Sequence, residues 1–111
     1  MLKTTFGLII LLLLQNFILA QAPGDWGAFN QRVDAKPYTG KNFKVEAAVR
    51  VKKIDSNAKA AIWVRVDRVN KKLGFFNNMK DKPIRSDEWK VYSISGKIDK
   101  DAEWLHFGGL Y

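Results

Sequence analysis

From Phe43 to Lys52 the chain alternates without a break: Phe43, Val45, Ala47, Val49 and Val51 on one parity, Lys44, Glu46, Ala48, Arg50 and Lys52 on the other. A period of two sends successive side chains to opposite faces of an extended strand, so this segment has one face for a core and one for water. The pattern returns between Lys59 and Asp67, where Ile62, Val64 and Val66 share one face and Ala61, Trp63, Arg65 and Asp67 share the other. Two half-buried strands of this kind need a second apolar layer, which favours antiparallel sheets packed face to face.

The rest of the chain fits that demand. Phe29, Gln31 and Val33 lie on one side of a short strand over 28–35, followed by a Pro37–Gly40 connection with Tyr38 as a corner residue. Asp55-Ser56-Asn57 and Asn70-Lys71-Lys72 mark turns, and 73–77 reads as a short strand in which Gly74 marks a bulge or a close backbone approach. Asn78 to Glu88 is polar and holds Pro83, so it is a surface loop with Met79 and Ile84 turned inward. Trp89 to Ile98 alternates with Tyr92, Ile94 and Ile98 on the buried side, and 105–111 supplies a further strand. No ten-residue stretch after residue 20 has helical periodicity. The expected fold is all-β, an antiparallel β-sandwich.

The first twenty residues stand apart. Lys3, an apolar run from Phe6 to Leu14 that resumes at Phe17, and a final Ala20 are arranged as in a secretory signal peptide cut after Ala20. Gln15 and Asn16 interrupt the run, which speaks against a stable membrane anchor. The division expected is 1–20 signal peptide, 21–26 short linker and 27–111 β-sandwich domain, in an exported protein that is periplasmic or extracellular. With 111 residues there is room for one domain. With no cysteine there is no disulfide, thiol nucleophile or thiolate ligand, so stability must come from packing alone. The net charge of +8 is scattered through strands and turns. Export argues against nucleic acid and leaves solubility, or an anionic glycan or cell-surface polymer, as its meaning.

The ordered set Gln31, Tyr38, Gly40-Lys41, Trp63-Val64-Arg65-Val66-Asp67, Phe76, Asn78-Met79, Pro83-Ile84, Trp89, Tyr92 and Phe107-Gly108 resembles a galactose-binding-like jelly-roll accessory domain. Such domains are found with bacterial arabinose-regulator-type transcription regulators and with exported hydrolases. The resemblance runs from about Gly27 to Tyr111 and implies a jelly-roll sandwich related to carbohydrate-binding modules. Family members continue after the Phe-Gly pair into a Gly-rich turn and a last strand rich in Trp, Phe and Asp. This chain stops at Tyr111, so the resemblance implies a copy lacking its last strand, with an unpaired edge open to association. Asn77 stands where the family has Asp.

Candidate chemistry is thin. His106 is the one histidine, alternates with Leu105 and Phe107, and is expected on the face opposite theirs; Ser86, Ser93 and Ser95 lack the Gly-flanked turn that exposes a nucleophile. Asp67 and Asp81 are read as salt-linked surface carboxylates rather than a glycosidase pair. Asp99, Asp101 and Glu103 alternate like the start of a calcium loop but lack its glycine, so an acidic hairpin turn is preferred; no cofactor is expected, and a structural calcium is not indicated.

Trp63, Arg65 and Asp67 project from one strand face at intervals of about 7 Å and, with Asn78, form the tentative ligand-binding set. An indole and hydrogen-bonding groups so placed suit sugar rings. The preferred alternative is structural, an internal Arg65–Asp67 pair with Trp63 filling the contact with the second sheet. Trp26, Trp89 and Trp104, at strand ends, are expected to close the core. The chain therefore reads as no enzyme but an exported non-catalytic binding or accessory module, with carbohydrate as the candidate ligand and the accessory role better supported by the resemblance than sugar binding. The alternatives are a truncated, non-functional or partner-dependent remnant of a larger protein and, last, a small exported hydrolase.

Overall fold

The computed structural model describes residues 8–13, 27–53 and 55–111, the first of these segments by its backbone. Among the described residues seven strands form two sheets: β1 (Leu8–Leu13), β2 (Ala28–Asp34), β3 (Asn42–Val49), β4 (Ala61–Arg68), β5 (Leu73–Asn77), β6 (Lys90–Lys97) and β7 (Ala102–Leu110). One sheet has the order β1-β3-β6 and the other β2-β7-β4-β5. All pairings are antiparallel except β1 with β3, which is parallel. The expected β-sandwich is the observed fold.

Its core follows the alternation. Phe43, Val45, Ala47 and Val49 of β3, Ile62, Val64 and Val66 of β4, Ile94 of β6, and Leu105 and Phe107 of β7 are all buried, with Ile98 and Ile84 beside them. Burying each of these side chains larger than alanine contributes about 1.5–3 kcal/mol, and in a cysteine-free chain this is the main source of stability. Phe43 meets Phe75 edge to face across the two sheets, with ring centroids 5.0 Å apart and planes at 84°. Gly96 on β6 makes that possible, because a Cβ there would come within 2.6 Å of the Phe75 ring. The 78–88 loop is pinned by a two-bond bridge between Ala60 and Ile84, at 2.9 and 2.8 Å, and Met79 packs against the core as its position predicts.

The acidic turn between β6 and β7 is held by an arginine rather than shaped as a calcium loop. Arg68 Nε donates to Asp101 Oδ1 at 2.8 Å and Nη2 to Oδ2 at 3.1 Å, while Asp99 Oδ2 lies 3.8 Å from Nε. Gly74 on β5 packs against this cluster, since a Cβ there would collide with the Asp99 carboxylate. The pairing of β4 with β5 also shifts register beside it, between Arg65 and Asp67. The bulge reading of Gly74 holds, while the close approach to it is made by the Asp99 and Arg68 side chains rather than by backbone.

The hydrogen bond from Arg68 holds the Asp101 carboxyl below the usual carboxylate range, against a smaller opposing effect of burial. A carboxyl depressed on folding stabilises above its unfolded value, near pH 4, and that stabilisation fades as pH falls through the lower folded value. Melting temperature should therefore fall below about pH 4 in the wild type. Asp101→Asn should flatten that acid limb in a melting series from pH 6 to pH 2.5, and an unchanged limb would remove Asp101 from the account.

Two expectations change. Trp89 does not close the core: it is 53% exposed, with Arg50 5.8 Å from its ring centroid. Trp104 shares its strand parity with His106 and stands on the outer face of the four-stranded sheet, as described below. Trp26 and most of the expected signal peptide, including the cut after Ala20, lie outside the described residues. The part that is described, Leu8–Leu13, is β1 and occupies the edge position beside β3.

Candidate functional site

β7 lies between β2 and β4, with β5 beyond β4, so the outer face of the four-stranded sheet gathers side chains from all four strands into rows. Registry sets Asn30, Gly108 and Trp63 in one row, and Arg32, His106, Arg65 and Phe76 in the next. Asp34, Trp104 and Asp67 make the third. Alternation forces the composition of these rows, because Val64, Val66, Leu105 and Phe107 take the inner positions.

Polar contacts link the rows. Arg65 Nε donates to Asp67 Oδ1 at 2.8 Å and Nη2 to Oδ2 at 3.2 Å, a two-pronged grip within one strand. His106 Nε2 lies 3.0 Å from Asp67 Oδ2. The Arg32 guanidinium sits over the Trp104 ring at 4.0 Å from its centroid, a cation–π stack. The Arg65 and Asp67 side chains are 40% and 31% exposed, so the charged cluster is reachable from solvent. Phe76, half exposed, stands beside Arg65. The Trp63 indole Nε1 is buried and has no hydrogen-bond partner among the described residues.

The Arg65–Asp67 pair anticipated from spacing is present. Trp63 does not fill the contact between the sheets; it lies on the outer face with that pair, because Ile62 and Val64 already take the inner positions. Asn78 is in the loop after β5, and its Oδ1 accepts from the backbone N–H of Lys80 at 3.1 Å. Asn77 does the same for Met79 at 2.8 Å, and Met79 has φ 57°. Two successive amide-capped turns thus hold the loop in shape, and the Asn78 side-chain oxygen is engaged there. His106, Arg32 and Trp104 were not among the expected ligand contacts. Their parity on β2 and β7 was readable, but their neighbours depend on β7 inserting between β2 and β4.

The serines do not approach His106. Ser93 and Ser95 belong to β6, paired with Glu46 and Lys44 in the other sheet, and Ser86 Oγ accepts from the Glu88 backbone N–H at 3.1 Å. Asp67 has both oxygens engaged, by Arg65 and His106. Among the described residues, no group of three or more His, Asp and Glu is placed to hold a metal ion.

No family model matches the chain, and no solved structure matches it. Over 91 residues, 81% of the chain, it is 25% identical to an uncharacterized HTH-type transcriptional regulator, YbfP, of Bacillus subtilis (strain 168). The chain spans 30% of the length of that relative.

Proposed function

We propose that the chain is an exported, non-catalytic binding module of the galactose-binding-like jelly-roll kind, with the outer face of its four-stranded sheet as the ligand surface. The observation that carries this reading is the joining of Trp63, Trp104 and Phe76 with Arg32, Arg65, Asp67 and His106 on adjacent rows of one sheet face. Aromatic rings offer flat apolar area to sugar C–H faces, while guanidinium and imidazole N–H groups suit hydroxyls and carboxylates. The net charge of +8, to which residues 1–20 contribute only Lys3, favours acidic polysaccharides over neutral ones. The likeness to under a third of a longer regulator supports an accessory rather than a self-sufficient role. In this reading Asn78 shapes the neighbouring loop rather than touching the ligand.

Calorimetric titration of the exported chain with heparin, polygalacturonate and neutral xylan should give heat with an acidic polymer. Trp63→Ala and Arg65→Ala should each weaken binding by about tenfold, equivalent to roughly 1.4 kcal/mol. Absence of heat with every polysaccharide, or affinities untouched by both substitutions, would discard the reading.

A further inference from the structure

We propose that the outer edge of β3 is a self-pairing surface through which two processed copies of the chain form a symmetric dimer. The proposal rests on the reading that residues 1–20 are removed on export. β3 pairs on one side with β6, and on the other with Leu8–Leu13, matched to Phe43 through Ala48. Removal of the leader strips that second partner and leaves a row of backbone N–H and C=O groups on an edge strand.

This edge lacks the usual defences. Asn42–Val49 contains no proline or glycine, its pairing with β6 runs without a register shift, and no charged side chain points inward. Its two charged residues, Lys44 and Glu46, lie on the outer face 3.4 Å apart. A second copy supplies a complementary strand. In an antiparallel pair related by a two-fold axis normal to the sheet, faces are preserved only when the axis passes through a residue position. Centring on Lys44 or Glu46 puts like charges opposite each other, and centring on Ala47 sets Lys44 opposite Arg50. Centring on Val45 sets Lys44 opposite Glu46 twice over on the outer face, and Phe43 opposite Ala47, large against small, on the core face. Directly opposed unlike charges stabilise an antiparallel pair and like charges destabilise it. Centring on Ala48 sets Glu46 opposite Arg50 but Lys44 opposite Lys52, so the Val45-centred register is the one in which both charged residues of β3 meet unlike charges, and it makes a continuous sheet β6-β3-β3-β6 across the two copies.

The test uses the full chain expressed with its own leader, purified from the exported fraction, weighed by mass spectrometry and examined by sedimentation equilibrium. A product lacking residues 1–20 that sediments as a dimer is expected. Glu46→Lys, at a partly exposed site, should raise the dimer dissociation constant by about tenfold or more, given two opposed pairs. The double exchange Lys44→Glu with Glu46→Lys should restore it. A processed chain that is monomeric, or a dimer indifferent to Glu46→Lys, overturns the dimer while leaving the leader reading intact. A product that retains Leu8–Leu13 and is monomeric overturns the leader reading, and the dimer with it, since β1 then keeps the edge.

Discussion

Replacing Phe107 with alanine is expected to remove about 3–5 kcal/mol of folding stability, the usual range for a fully buried aromatic. Phe107 is 2% exposed and sits on β7, the strand between β2 and β4, with Gln31 and Val64 as its cross-strand neighbours. A cavity there opens in the middle of the four-stranded sheet, where backbone pairing on both sides prevents collapse. Small domains have only about 5–15 kcal/mol in total, and this one has no disulfide to limit the unfolded ensemble. Each kcal/mol shifts the melting temperature of a domain this size by about 4–8 °C, so a fall of about 15 °C or more is expected. Urea unfolding gives the free energy directly, and Phe107→Leu should lose much less because it retains most of the volume. A Phe107→Ala loss below about 1 kcal/mol, the scale of an ordinary surface change, would mean that β7 is not central to the core.

The part of the fold that the sequence makes legible is the part governed by local alternation. Ile62, Val64 and Val66, and Phe43, Val45, Ala47 and Val49, are buried as their parity requires, because a period-two pattern with one polar face has a single stable orientation. Gly74 and the Asp99–Asp101 turn were legible for a similar reason, since turn chemistry is also local. Arg68 as the turn's partner was not, being 33 residues from Asp101.

The candidate site divides in the same way. The Arg65–Asp67 pair spans two residues of one strand and could be read from spacing alone. The contact of His106 with Asp67 and the stack of Arg32 on Trp104 cross strands that are far apart in sequence. Position near a strand end places Trp104 over the core, whereas Leu105 and Phe107 fix the inner face and leave Trp104 outside. Parity was the better guide than strand position. The seat beside β3 belongs to topology, which no local pattern encodes.

Glycine 108 has the second large expected effect, and it tests whether that topology is tightly specified. A Cβ on Gly108 would run into the Phe29 carbonyl oxygen and come within 2.8 Å of the Asn30 Cα, so β2 lies against this residue by its backbone. Backbone in a paired strand cannot turn aside as a flexible side chain can. Gly108→Ala should therefore cost about 1–3 kcal/mol, the range for overpacking, with the damage concentrated at β2. The neighbouring Gly109 is the internal control: the three atoms nearest to a Cβ there all belong to the Phe29 ring, at 2.7, 3.1 and 3.5 Å, and a ring can rotate. Gly109→Ala should cost less. Hydrogen exchange should show the β2 amides losing protection in Gly108→Ala while β3 and β6 keep theirs, because those strands belong to the other sheet. Equal costs at the two glycines, or protection lost uniformly, would mean that β2 is not seated on Gly108. Retention of β2 matters beyond stability, since Arg32 reaches Trp104 from that strand. A Gly108→Ala protein that folds but releases β2 should thus lose the Arg32 side of the proposed binding face while keeping Trp63, Arg65 and Asp67 in place on β4.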